Sequence, residues 1–133
     1  MEELKARNTE KLSKQEQFEW LDGQWNWERI QKIVGKKEIP LFVLDYFIEV
    51  TPDEYLEHLK KHNPPSSWTE DTYGEVQLKQ SQAGYEIIYY SHGKQIGSET
   101  FDNYDQVLRY LVYGRLTNVS DKYKNQLKRS YYT

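Results

Sequence analysis

The feature that most constrains this chain is the stretch from Glu75 to Phe101, where the pattern has a period of two and is interrupted twice by glycine turns. Glu75 to Gln80 alternates, with Val76 and Leu78 on one face. Ser81-Gln82-Ala83-Gly84 then supplies a turn. Tyr85 to Ser91 (YEIIYYS) is the strongest strand: Tyr85, Ile87 and Tyr89 point one way and Glu86, Ile88 and Tyr90 the other. His92-Gly93-Lys94 makes the next turn, since glycine accepts positive φ, and Gln95 to Phe101 returns. Such a run folds as an antiparallel β-meander, and one face of it must be covered by something else.

Helical signals flank the meander. Ser13 followed by Glu16 is a capping-box pair that opens a helix to about Leu21, with Phe18, Leu21 and Trp25 at one-turn spacing. Gly23 breaks or bends it, helical spacing continues from Trp25 to Val34, and Gly35 is a stop. Thr51-Pro52-Asp53-Glu54 is a second capping box with proline at the first helical position. It predicts a helix over Pro52 to His62 with Tyr55, Leu56 and Leu59 inward, ended by Asn63-Pro64-Pro65. Trp68 is expected to anchor a loop through Gly74. After the meander, Asp102 or Asn103 caps a helix carrying Tyr104, Val107, Leu108, Leu111 and Val112. Ser120 is expected to cap a last, peripheral helix from Asp121 to about Arg129. Ile39 to Val50 is open between strand and helix; its β-branched and aromatic content favours an extended segment. The expected class is α+β: an antiparallel meander of about three to four strands packed against α-helices, with helices at both ends. Residues 1–133 form a single expected domain, with residues 1–12 and the extreme C-terminus loosely ordered.

Composition restricts the chemistry. Hydrophobic residues make up 37%, but four Trp, twelve Tyr and four Phe let a core be built from few, large side chains. No cysteine is present, so disulfides, thiolate metal sites and a thiol nucleophile are excluded. The first seventeen residues lack an apolar h-region and no run suits a membrane span, so a cytoplasmic protein without membrane association is expected. His58 and His62 share a helix face, but Leu59-Lys60-Lys61 lies between them and no HExxH pattern exists, so they read as structural histidines on a solvated face. Ser91-His92 reads as turn chemistry rather than part of a triad. There is no GxSxG, GxxxxGK[ST] or GxGxxG. No enzyme activity, metal or cofactor is expected.

Charge is distributed unevenly. Residues 38–75 hold nine acids against Lys60 and Lys61, a net −7, whereas residues 109–133 hold six bases against Asp121, a net +5. The acids Asp45, Glu49, Asp53, Glu54, Glu57, Glu70, Asp71 and Glu75 are therefore candidate contacts for a basic protein partner. The alternative reading of such a run is a solvated face. The C-terminal stretch from Lys122 to Tyr132 mixes bases with tyrosines and supports a second function class, a nucleic-acid-associated regulatory domain, although no RNP or other nucleic-acid motif accompanies it.

The segment YEIIYYSHGK from Tyr85, followed by Glu99 to Leu116 (ETFDNYDQVLRYLVYGRL), resembles the small immunity proteins of bacterial polymorphic-toxin systems. Several of those families share an aromatic hairpin strand, a glycine-containing turn, a Phe-Asp step and a helix containing Tyr-Leu. The resemblance covers residues 85–116, about a quarter of the chain. It implies a cytosolic bacterial protein that binds and neutralises one cognate toxin domain, often a nuclease, by blocking its active site or substrate groove. Those families share no catalytic residues, so no site residue carries over.

Overall fold

The computed structural model describes residues 11–35, 44–69 and 74–133. It has the α+β architecture that the alternation and the helical stripes demand. In chain order the elements are α1 (Lys14–Leu21), α2 (Trp27–Val34), α3 (Leu44–Phe47), α4 (Pro52–Lys61), β1 (Ser67–Thr69), β2 (Gly74–Ser81), β3 (Gly84–Ser91), β4 (Lys94–Phe101), α5 (Tyr104–Val119), α6 (Lys122–Gln126) and a closing 3₁₀ turn (Arg129–Tyr131). The four strands form one antiparallel sheet in the order β1-β2-β3-β4.

The β2–β3 and β3–β4 hairpins close on two-residue loops. Ser91 pairs with Lys94 around His92-Gly93, whose φ values of 52° and 78° are what the right-handed twist of a tight hairpin requires. Ser81 pairs with Gly84 around Gln82-Ala83. Gly84 (φ +137°) is obligatory, because a Cβ there would lie 2.2 Å from the carbonyl oxygen of Phe101. Register puts Val76, Ile87 and Phe101 on the inward face, all buried, and α5 crosses that face while packing against α4. Along α5, Val107, Leu108, Leu111, Val112 and Leu116 are buried, the stripe expected of a helix on a sheet.

Both capping boxes form as the sequence predicts. Glu16 N–H donates to Ser13 Oγ (3.1 Å) and Glu54 N–H to Thr51 Oγ1 (3.1 Å), while each glutamate accepts back from the N-cap amide. Asn26, rather than Trp25, marks the start of the second helix by capping Arg29 N–H, and Gly35 (φ 79°) ends it.

Three further expectations about the fold differ. The part of Ile39–Val50 that is described, from Leu44 on, is not a strand: Leu44–Phe47 is a single helical turn. Leu44, Tyr46, Phe47, Ile48 and Val50 are all buried, so burial does not alternate there. Side chains supply what a neighbouring strand would. The amides of Glu49 and Val50 donate to Gln17 Oε1 (2.7 and 3.1 Å), and the Val50 carbonyl accepts from Tyr123 Oη (2.6 Å). Gln17, 3% exposed, is held in turn by donating to the Leu12 carbonyl. Second, Trp68 lies in strand β1 opposite Val76 rather than in a loop. Third, Ser120 does not cap the last helix. It is buried and its hydroxyl donates to Asp45, while Tyr123, Leu127 and Tyr132 pack into the core, so the C-terminal segment is integral rather than peripheral. Residues 1–10 of the segment expected to be loosely ordered lie outside the described residues.

Candidate partner-binding groove

A groove of about 580 Å³ opens where the end of α1, strand β1, strand β3 and one face of α5 meet. Local sequence explains its walls. Gly23 (φ 97°) turns the chain after Asp22, and this puts Trp25 on the rim with 56% of its surface exposed. Trp68 enters from edge strand β1 and Tyr89 from β3, whose hydroxyl is hydrogen-bonded to that of Tyr110 on α5. Helical spacing then brings Tyr110, Gly114, Arg115 and Asn118 to the same side of α5.

Asp22 organises the polar end. Its Oδ1 accepts from Tyr55 Oη (2.6 Å) and from Arg115 Nη1 (3.3 Å), and its Oδ2 lies 2.7 Å from His58 Nε2. Arg115 Nη1 also donates to Tyr55 Oη (2.8 Å). Tyr55 is fully buried, and that burial raises its phenol far above the ordinary value, which keeps it protonated as a donor. His58 does not sit on a solvated face. Its side chain is 9% exposed and stacks on Phe18, with ring centroids 4.4 Å apart. The guanidinium of Arg115, 5.3 Å from the Trp68 ring centroid, is thus fixed by a carboxylate, a phenol and an aromatic face. Both of its hydrogen bonds leave from Nη1, so Nε and Nη2 remain as donors among the described residues. Asn118, one turn further on, adds an exposed amide. This arrangement suits recognition: a large aromatic surface beside a desolvated, oriented cation.

No protein-family model, curated protein or solved structure matches the chain. The geometry therefore carries the functional argument. Among the described residues, no three His, Asp or Glu side chains converge to hold a metal ion. Ser91 Oγ and His92 Nδ1 are 3.2 Å apart on the hairpin turn, where His92 is exposed.

The acids singled out in the sequence occupy several environments rather than one. Asp45, Glu49 and Glu54 gather around Lys122 and Tyr123, where charge is balanced from elsewhere in the chain. Glu49 pairs with Lys11 (2.8 Å), Glu54 pairs with Lys14 (2.9 Å), and Lys122 Nζ donates to the Asp45 carbonyl (3.0 Å). The Thr51 amide, then Lys14, holds the Glu54 carboxyl below its usual range. The bond to Glu49 raises Lys11, whereas burial lowers Lys122. Asp53 shares the field of Arg109 and Tyr131 with Asp105. Glu57 is 70% exposed with Lys60 at 3.7 Å, and Glu75 accepts from Gln77 at 3.4 Å on β2. Glu70 and Asp71 lie outside the described residues.

Sequence reasoning missed Asp22, Tyr55 and Arg115 as a unit, because 93 positions separate Asp22 from Arg115. One signal was present: Gly114 inside an otherwise strong helical pattern.

Proposed function

We propose that this chain is a binding protein that neutralises a cognate toxin domain, acting in the bacterial cytoplasm as an immunity protein by covering the toxin's active site or substrate groove. The groove is the observation that carries the reading. Trp, Tyr and Arg are the residues that dominate binding energy at protein interfaces, and here they line one open concavity with a tryptophan on its rim. The hairpin–helix pattern of residues 85–116 corresponds to β3, β4 and the first part of α5; β3 supplies Tyr89 and α5 supplies Tyr110, Gly114 and Arg115 to that groove. Of the acids, Glu57 on α4 stands most clear of structural duties and supplies charge for steering a basic partner. No helix among the described residues is long and apolar enough to cross a membrane.

The nucleic-acid reading of the C-terminal stretch draws less support from its tyrosines than from its bases. Tyr123 and Tyr132 are buried and Tyr131 lies under Arg109, so few rings are left for stacking, while Lys124, Lys128 and Arg129 remain exposed.

Co-expression with the toxic domain encoded beside this chain tests the proposal. Growth rescue with a stable one-to-one complex is the expected result. A complex that fails to form, with growth unrescued, removes the proposal.

A further inference from the structure

Gly114 sits in the middle of α5, a position where helices disfavour glycine. No tight packing requires it, since a Cβ built there meets nothing within 4 Å. What the missing side chain does is keep the groove clear beside Arg115. The Arg115 side chain next to it is 16% exposed, makes its hydrogen bonds through Nη1, and among the described residues keeps Nε and Nη2 for a further acceptor. Both Asp22 oxygens are already engaged by Tyr55, His58 and Arg115, so that carboxylate anchors the cation and leaves its outer edge to a ligand.

We propose that this groove docks a segment of the protein partner in which a carboxylate lies beside a large apolar side chain. The carboxylate takes the free edge of Arg115, as planar guanidinium donors favour. The apolar side chain lies against Trp25 and Trp68 over Gly114, and Asn118 pairs with the segment's backbone. The inference rests on the binding reading above and gives it a place and a partner chemistry.

The probe is N-acetyl-L-phenylalanine, which combines a ring, a carboxylate and an amide, titrated into the ¹⁵N-labelled full chain. Each of the four tryptophans contributes one indole N–H signal. The signals of Trp25 and Trp68 are expected to shift with a dissociation constant on the order of 1 mM. The uncharged N-acetyl-L-phenylalaninamide should bind at least about tenfold more weakly, because it cannot satisfy the desolvated cation. Gly114→Leu should abolish the shifts. Gly114→Ala, which helix propensity favours and which therefore folds, should weaken them several-fold. Unmoved indole signals, equal binding of acid and amide, or undiminished binding by Gly114→Ala and Gly114→Leu would each overturn the proposal. So would sedimentation showing a dimer of this chain that the probe dissociates, because a second copy would then be the occupant. The probe needs no toxin. Growth rescue without probe binding therefore ends the groove assignment alone, and probe binding without rescue ends the toxin reading alone.

Discussion

Individual residues whose roles are local can be read from the sequence, and their contributions have predictable sizes. Thr51 both caps α4 and receives Glu54, so Thr51→Ala should cost about 1 kcal/mol in urea denaturation. Gly84 allows no side chain: Gly84→Ala must hold a β-carbon at positive φ against the Phe101 carbonyl and should cost about 3 kcal/mol or prevent folding. Charge reversal separates two acids that the charge pattern groups together as candidate contacts. Glu54→Lys breaks a capping box and an ion pair with Lys14, so it should lower the denaturation midpoint. Glu57→Lys, at an exposed site, should change stability by less than about 0.5 kcal/mol. A slower association with the partner in Glu57→Lys would then report on steering and not on folding. Capping residues were legible because their partners lie three positions away. Asp22 was not, because its partners Tyr55, His58 and Arg115 come from two other helices.

At the scale of elements, helices and strands followed from periodicity wherever one face is buried and the other wet. The meander and α5 are such cases. Leu44 to Val50 is not, because its apolar residues are buried without alternation and Gln17 satisfies its amides. No local pattern can announce a glutamine 32 residues away standing in for a strand. Gln17→Leu should therefore strip acceptors from two backbone amides and cost about 2–3 kcal/mol, and hydrogen exchange at Glu49 and Val50 should accelerate. The last helix looked peripheral because apolar residues are sparse there, yet Tyr123, Leu127 and Tyr132 are all buried. In α5 the one residue that works against the element is Gly114. Gly114→Ala should raise thermal stability by about 1 kcal/mol, so any loss of binding in that variant cannot be a folding defect.

At the scale of the whole molecule, folding brings bases from other parts of the chain against the described acids of the acidic run. Asp45, Glu49 and Glu54 meet Lys11 and Lys14 from one end and Lys122 from the other, and Asp53 lies near Arg109, so among the described residues the acidic run becomes a mixed surface with Glu57 standing out from it. The titration behaviour follows from the same contacts. Burial pushes the Tyr123 phenol up to about 12 and Tyr55 higher, so the folded chain keeps protons that the unfolded chain releases near pH 10. That contribution is complete below pH 10 and is lost as pH rises towards 12, so the urea midpoint should fall between those values. Glu16 and Glu54 are shifted the other way, by the Ser13 and Thr51 amides first. Their contribution is complete above the ordinary glutamate value of 4.5 and is lost as pH falls below it. The measurement that tests the central claim most directly is titration calorimetry of the purified chain against the toxin domain encoded beside it, comparing wild type with Gly114→Leu. One-to-one binding that Gly114→Leu weakens by about a hundredfold or more, the loss expected when a groove that seats an anchor side chain is blocked, is the predicted result. Equal affinity in both proteins, or none in the wild type, would contradict the account.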